Sequence, residues 1–189
     1  MSDYYPPIFG KPIFDRRSYR TGIGFDIHKV SDGKSAGSLM LLGLEWEDYA
    51  PLIGHSDGDA AAHALADALL SASCLGDIGT VIGVDAPEAK NISGEQVLRT
   101  VCSLLADEKI SVVNAAVIVM CEAPNINSRR AEAQKILSDI LDAPVSISAS
   151  SFNKIGDIGC GRAIAAQASA LIHFNPPAFD LRRYKGYKR

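Results

Sequence analysis

The stretch HSDGDAAAHALADALLSASC, residues 55–74, decides how this chain is built. Its first five residues are polar or flexible, and from Asp59 onward it is rich in Ala and Leu and contains neither Gly nor Pro. This composition predicts a helix from Asp59 to near Gly76, with Gly76 as its C-cap. His63 has Asp59 and Asp67 four residues to either side, so the three side chains share one helical face.

The segments around this helix alternate between strand-like and helix-like patterns. We expect strands where apolar residues alternate or β-branched residues cluster, at 20–28, 38–44, 110–120 and 145–151. The strand at 110–120 is predicted to be covered on both faces for part of its length. We expect helices from Ser93, whose spacing to Gln96 predicts a capping box, and over 127–141. Residues 51–58 and 79–91 read as loops, and 163–174 fits either a strand or a helix because it is rich in Ala.

This order of elements predicts an α+β domain in two layers, a mixed sheet with helices packed on one side. We expect an N-terminal arm over residues 1–19, the folded domain over 20–175 and a basic tail over 176–189. At 189 residues the chain has the length of one domain.

Composition excludes several classes of protein. The longest apolar run, 115–121, has seven residues, far fewer than the ~20 that span a bilayer. The first residues do not have the pattern of a secretory signal, so we expect a cytoplasmic protein. The four cysteines form no C-x-x-C pair and are predicted to be buried in a reducing compartment. Residues 180–189 carry five basic side chains and one acidic one; we interpret this as a solvated end and expect no nucleic-acid or membrane partner.

Three residues have the pattern of a zinc site. Asp26 and His28 are two apart on a predicted strand, so their side chains leave the same face. His63 is the natural third ligand, and Asp59 or Asp67 could accept its second ring N–H. One carboxylate and two imidazoles leave a fourth position open, as a catalytic zinc requires. The alternative is that the D-I-H motif simply ends a strand and that His63 is a buried, hydrogen-bonded histidine.

The loop before the helix has two interpretations as well. Backbone N–H groups at a helix start favour anions, so His55 and Ser56 could hold a phosphate oxygen there. Alternatively, Asp57 or Asp59 caps the helix by accepting from those N–H groups. Both readings can hold at once, and residues 76–79 alone would be read as a turn.

Four motifs taken together are more specific than any one of them. G-F-D-I-H (24–28), G-H-S-D-G-D (54–59), A-x-x-H-A-L-x-D-A-L-L (60–70) and L-G-D-I-G (75–79) resemble the 2-C-methyl-D-erythritol 2,4-cyclodiphosphate synthase family over residues 21–174. The resemblance implies a homotrimer with active sites between subunits. It also implies an intramolecular phosphoryl transfer, in which the 2-phosphate of cytidine diphospho-methylerythritol attacks the β-phosphorus and CMP leaves.

The resemblance also implies roles for individual residues. Asp26, His28 and His63 fall on the zinc ligands. His55 and Ser56 fall on a substrate-phosphate contact, His55 with a catalytic role. The remaining positions fall on the methylerythritol diol loop (Asp77, Ile78, Gly79), the cytosine pocket (Cys121, Glu122, Ala123, Pro124, Asn125, Ile126, Asn127) and the diphosphate contact (Ser150 and Ser151, with Ser151 counted as catalytic).

A second cation, Mg²⁺ or Mn²⁺, is implied at the diphosphate, and here the chain departs from the family pattern. The acidic position reads Asn153, preceded by Phe152, so affinity for that cation should fall. Asn125 stands where the family has a lysine. Asp157 and Cys160, with Arg162 nearby, replace residues around a central cavity of the trimer, which puts binding of an isoprenoid diphosphate there in doubt.

Two other functions stay open. Asn125 and Asn153 allow a trimeric, zinc-retaining binding or scaffold protein with little turnover. A zinc hydrolase acting on a phosphoester would need a general base, for which Asp57, Asp59 and Asp67 are the nearby candidates.

Overall fold

The computed structural model describes residues 19–32, 37–54, 57–83 and 92–174. All of the predicted arm except Tyr19, the basic tail, and His55 and Ser56 lie outside these described residues. Within them, no helix has the length and apolar character that crossing a bilayer would take.

The described residues form seven strands and four α-helices. The strands are β1 (Tyr19–Val30), β2 (Leu39–Leu41), β3 (Leu44–Trp46), β4 (Leu52–Ile53), β5 (Ile110–Met120), β6 (Val145–Ser150) and β7 (Ala163–Phe174). The helices are α1 (Ala60–Ser73), α2 (Gly94–Asp107), α3 (Arg130–Leu141) and the short α4 (Gly156–Gly159), with a π-helical turn at Gly79–Gly83 and a 3-10 turn at Ile126–Ser128.

Five of the strands form one mixed sheet in the order β4-β1-β7-β5-β6. Only β5 and β6 run parallel, while every other pairing is antiparallel. The ambiguous segment 163–174 is therefore a strand, and a central one. The prediction of a mixed α+β fold is confirmed, and the buried side chains of β5, β6 and β7 face the helical layer.

Helix α1 lies directly on β1 because two glycines remove the side chains between them. A Cβ at Gly24 would lie 2.0 Å from the carbonyl oxygen of Ala64, and one at Gly22 would lie 2.1 Å from that of Ala68. No real Cβ makes such contacts, so only Gly permits this approach. The close packing sets the first turn of α1 against the strand that carries Asp26 and His28.

The other face of β1 is apolar and exposed. Ile23, Phe25 and Ile27 are 69, 56 and 48% exposed, since they point away from the helices. Strand β5 shows the same asymmetry: its inward residues are buried, while Ile118 and Met120 are only half-buried. The prediction that β5 is covered on both faces for part of its length was wrong for the single chain, because the helices cover one face only and leave the other half-buried.

Several predicted boundaries were also wrong. Residues 38–44 form β2 and the start of a hairpin with β3, because Leu42 and Gly43 turn the chain at φ 62° and 73°. Helix α1 ends at Ser73, and its C-cap is Cys74, which adopts φ 58°, and not Gly76. Residues 126–128 form a 3-10 turn before α3 begins. The capping box of Ser93 and Gln96 is confirmed.

The cysteines were predicted to be buried, which is wrong for two of them. Cys121 is buried and Cys102 partly so, but Cys74 and Cys160 are exposed. Cys74 is exposed because it caps the end of α1, and Cys160 because it ends the short helix α4 at the surface.

Candidate metal centre

Asp26, His28 and His63 converge on one point. Oδ2 of Asp26 lies 2.9 Å from Nε2 of His28 and 2.8 Å from Nδ1 of His63. The two imidazole nitrogens are 3.3 Å apart. These three atoms form the one group of metal-ligand type within the described residues. The structure therefore brings together the three residues that the sequence singled out, although they lie up to 37 positions apart.

The donor set fits a small divalent cation. Three ligands about 2.0–2.1 Å from a tetrahedral ion lie roughly 3.3 Å from one another, close to the observed spacing. Nδ1 of His28 lies 3.0 Å from the carbonyl oxygen of Ile53. Because a carbonyl only accepts, Nδ1 carries a proton and Nε2 of a neutral His28 has a lone pair facing the Asp26 carboxylate. Only a cation between them, or a second proton on His28, makes that arrangement favourable.

The backbone around the site holds the ligands in place. Strand β1 projects Asp26 and His28 from the face that α1 covers, and His63 lies in the first turn of α1. Strand β4 pairs with the end of β1 and delivers the Ile53 carbonyl to His28. Gly54 lets the chain pass the His28 ring, since a Cβ there would lie 2.9 Å from the ring. The orientation of the His28 ring is thus set by backbone atoms, which do not move with neighbouring side chains.

Without a cation, charge on the histidines would have to balance the carboxylate. The hydrogen bond to Asp26 raises the pKa of His28, although partial burial opposes the rise. Burial alone would raise the pKa of Asp26, but hydrogen bonds from His28 and His63 bring it well below its usual range. Both directions reflect a negative carboxylate that faces positive charge, and a bound cation is another source of such charge.

Asp59 and Asp57 hold the backbone beside the candidate metal ligands. The buried Asp59 carboxylate caps α1 by accepting from the N–H groups of Ala61 and Ala62, and it also accepts from Leu42 and Gly43 at 3.0 and 2.7 Å. Burial raises the pKa of Asp59, and these hydrogen bonds oppose the rise. Oδ1 and Oδ2 of Asp57 both accept from the N–H of Gly94 at the start of α2.

The capping interpretation of this loop is confirmed for Asp59. The hydrogen bonds described for the Asp59 carboxylate all run to backbone, so its role as a partner of the His63 ring stays a prediction.

The 76–80 segment folds back along α1. Oδ1 of Asp67, one turn after His63, accepts from the N–H of Ile78 at 3.0 Å. Burial raises the pKa of Asp67, and the Ile78 hydrogen bond opposes that rise. The exposed Asp77 carboxylate accepts from the hydroxyl and the N–H of Thr80, which lower its pKa. An ionised carboxylate therefore stands on a loop that Asp67 fixes near the metal ligands.

The predicted nucleotide segment lies at the end of β5. Its first residue, Cys121, donates its N–H to the carbonyl of Ser150 at the end of β6. The Glu122 carboxylate accepts from the N–H of Phe152 at 2.9 Å and so joins this segment to the predicted diphosphate loop. Asn153 in that loop has φ 50°, a conformation that Asn tolerates better than most residues. The structure thus places Cys121–Asn127 beside Ser150, Ser151 and Asn153.

Sheet register puts the two halves of the predicted site at the same end. Ile27 pairs with Ala165 of β7, and Ala165 pairs with Met120 of β5. Since neighbouring strands lie ~4.8 Å apart, β1, which carries two of the candidate metal ligands, and β5, which leads into the predicted nucleotide segment, are about 10 Å apart across the sheet. The structure does not bring them into direct contact within one chain.

Sequence reasoning missed three features of the site. The Ile53 carbonyl, the Glu122–Phe152 contact and a contact between Trp46 and Arg129 join segments far apart in the chain. The first two depend on backbone positions, which sequence composition does not reveal. One hint of the Trp46 contact was present in the sequence, namely that Trp46 is the only Trp of the chain.

Comparison with known proteins places the fold and motifs in context. The model of the YgbB family matches residues 19–173. The chain is 43% identical over 154 residues to the 2-C-methyl-D-erythritol 2,4-cyclodiphosphate synthase of Cutibacterium acnes, covering 81% of this chain and 90% of that protein. It is 46% identical over 153 residues to the bifunctional enzyme IspD/IspF of Clavibacter michiganensis, covering 81% of this chain but only 37% of that protein.

Solved structures agree with this relationship. The bifunctional IspDF of Campylobacter jejuni superposes with a TM-score of 0.78 at 27% identity, over 84% of this chain and 43% of that one. The CDP complex of IspF from Plasmodium falciparum superposes with a TM-score of 0.73 at 26% identity, over 85% of this chain and 99% of that one. The chain therefore corresponds to less than half of the length of the bifunctional proteins and to 90–99% of the length of the other two.

Proposed function

The chain belongs to the YgbB family, and we propose that it converts 4-diphosphocytidyl-2-C-methyl-D-erythritol 2-phosphate to 2-C-methyl-D-erythritol 2,4-cyclodiphosphate with release of CMP. This makes it a phosphorus–oxygen lyase of non-mevalonate isoprenoid biosynthesis, acting in the cytoplasm. The observation that carries the proposal is the convergence of Asp26, His28 and His63 in a chain 43% identical to a synthase of that name.

The reaction joins two phosphates of one molecule. An oxygen of the 2-phosphate attacks the β-phosphorus, the bond from the β-phosphorus to the bridging oxygen breaks, and the electron pair leaves with CMP. Two anions must approach each other, so the protein has to neutralise charge and align the reacting groups. A zinc ion held by Asp26, His28 and His63 would supply Lewis-acid charge neutralisation at a phosphate oxygen.

The chain's own residues would position the substrate around this centre. Asp77, which stays ionised because Thr80 lowers its pKa, is suited to accept hydrogen bonds from the methylerythritol diol, together with backbone groups of Ile78 and Gly79. His55 and Ser56 are proposed to contact a phosphate. Segment 121–127 is proposed to bind cytosine through its backbone.

Ser150 and Ser151 are proposed to bind the diphosphate, with a Mg²⁺ or Mn²⁺ ion close to Asn153. An amide at position 153 can ligate such an ion only without a formal charge, so we expect weak affinity for it.

We further propose that three copies assemble through the exposed sheet face. The row of Ile23, Phe25 and Ile27 is apolar and largely exposed, and contiguous exposed apolar side chains often mark a protein–protein interface. The separation of metal ligands and nucleotide segment across the sheet supports the same conclusion. In a trimer, the metal site of one subunit would face the nucleotide segment of its neighbour.

One incubation tests the reaction. Purified protein loaded with zinc is given the cytidine substrate and Mg²⁺, CMP is measured by chromatography and the phosphorus products by ³¹P NMR. We expect CMP and the cyclic diphosphate in equal amounts. Zinc-loaded protein that releases no CMP would be a binding or scaffold homologue, and CMP release with a linear bisphosphate would indicate a hydrolase.

A further inference from the structure

We propose that Trp46 and Arg129 form a clamp through which the β2–β3 hairpin holds the segment 121–128 in its nucleotide-binding conformation. This inference rests on the proposed function, since it assigns Arg129 the task of positioning the cytidine pocket. Arg129 would be a positioning residue, which acts on the substrate through the loop it holds.

Arg129 stands where the nucleotide segment becomes helix. Its N–H bonds to the carbonyl of Ile126 and ends the 3-10 turn, while its own carbonyl accepts from Ala133 and begins α3. Within the same turn, the N–H and hydroxyl of Ser128 both donate to the carbonyl of Asn125, at 3.1 and 2.7 Å. Movement of the Arg129 backbone would therefore move Asn125 and the residues before it.

The Arg129 guanidinium is held from three directions at once. It donates to both carboxylate oxygens of Glu132, at 2.8 and 2.9 Å. It also donates to the carbonyl of Glu45 and lies 5.1 Å from the centre of the Trp46 ring. A planar guanidinium can make a two-pronged ion pair and stack on an aromatic ring together, which a lysine cannot.

The hairpin is a fixed support for this contact. Trp46 is buried, and its indole N–H donates to the carbonyl of Leu41 at 3.1 Å. At the other end of the hairpin, Leu42 and Gly43 donate to the buried carboxylate of Asp59, the cap of α1. The hairpin is thus tied to the helix that carries His63, and the clamp connects that helix to the nucleotide segment.

An open cavity lies next to this contact. The hairpin and the segment face each other across a space of about 590 Å³ lined by Trp46, Tyr49, Asn125, Ser128 and Arg129. Across this space, the guanidinium of Arg129 contacts the hairpin at the Glu45 carbonyl and the Trp46 ring.

Trp46 provides the readout, because it is the only tryptophan of the chain. CMP is titrated into the zinc-loaded protein while Trp46 emission and binding heat are recorded. We expect an emission change that saturates with the same Kd as the heat.

For Arg129→Ala we expect CMP to bind about tenfold more weakly, which corresponds to the loss of roughly one charge-assisted hydrogen bond, and we expect the emission change to be lost. In turnover, KM should rise about as much while kcat stays near that of the parent, since the cytosine ring, unlike the CMP phosphate, lies away from the bonds that form and break.

Further variants distinguish a positioning role of Arg129 from a direct contact between Arg129 and CMP, and from a loss of folding. Glu132→Gln removes the ion pair without touching Arg129, and the clamp requires that it weaken CMP binding too. Arg129→Lys should bind CMP more tightly than Arg129→Ala but more weakly than the parent. Arg99→Ala, which breaks a comparable exposed pair with Glu95 on α2, should bind CMP like the parent.

Two results would overturn the clamp while the proposed function stands. One is parental CMP affinity in Arg129→Ala. The other is weakened binding in Arg129→Ala together with unchanged or tighter binding in Glu132→Gln, which would show that Arg129 contacts the nucleotide directly. A parent protein that binds no CMP would overturn the proposed function, and the clamp with it.

Discussion

At the scale of single residues, the candidate metal site depends on one hydrogen bond that fixes a tautomer. The Ile53 carbonyl accepts a hydrogen bond from Nδ1–H of His28, so the Nε2 lone pair is directed at the point shared with Asp26 and His63. The candidate ligands could be predicted from D-x-H on a strand and His on a helix, because both patterns fix side-chain direction. The Ile53 carbonyl could not, because it depends on the pairing of β4 with β1, a contact between distant segments.

Burial of two thiols leads to a prediction about pH. Burial raises the pKa of Cys102 and of Cys121 to about 11. Since only the thiolate reacts, both should resist alkylation in the folded protein at pH 8 and gain about tenfold in rate per pH unit until the pH approaches 11. Mass spectrometry after timed labelling measures this. Rapid modification of either residue at pH 8, before the protein unfolds, would contradict the described burial.

At the scale of elements, the helices were the most predictable part. Their apolar spacing and the Ser93–Gln96 capping box identify them locally. The hairpin of β2 and β3 escaped prediction because a turn at Leu42 lacks the usual Asn-Gly signal. Residues 163–174 stayed ambiguous because Ala suits both a helix and a tightly packed strand, and only pairing with β1 and β5 decides between them.

The contact between α1 and β1 predicts a large effect of one methyl group. Gly24→Ala would place a Cβ against the backbone of Ala64, so we expect a loss of about 3 kcal/mol in the free energy of unfolding. Gly156→Ala is the control, since a Cβ there meets nothing within 4 Å and only the φ of 66° opposes it, at about 1 kcal/mol. Denaturant unfolding of both zinc-loaded variants compares them. Equal losses would mean that α1 does not lie as close to β1 as described.

At the scale of the whole molecule, alternation along β1 predicted a strand but not which face was the core. Small and polar residues face the helix, and the apolar ones face outward. In a protein that stays monomeric, we would expect the apolar residues to face the helix and the small and polar ones to face outward. The sequence contains this information only through Gly22 and Gly24, which signal the close approach of another element.

The outward face predicts an assembly. We expect the parent to have a mass near 60 kDa by light scattering, three times the 20.1 kDa of one chain. Phe25→Glu places a charge in the proposed interface and should lower the mass toward that of a single chain, because a buried unpaired charge is costly. Lys135→Glu, on the exposed side of α3, should leave the trimer intact. A monomeric parent, or a trimer unaffected by Phe25→Glu, would show that this face is not the interface.

The most direct test of the account is a zinc titration of metal-depleted protein with CMP release as the readout. We predict that activity rises in proportion to added zinc and reaches its limit at one zinc per chain. His63→Ala and Asp26→Ala should bind no stoichiometric zinc and stay inactive, while His173→Ala, a histidine outside the site, should behave like the parent. Full activity in the metal-depleted protein, or one zinc per chain retained by His63→Ala, would contradict the assignment of these three ligands.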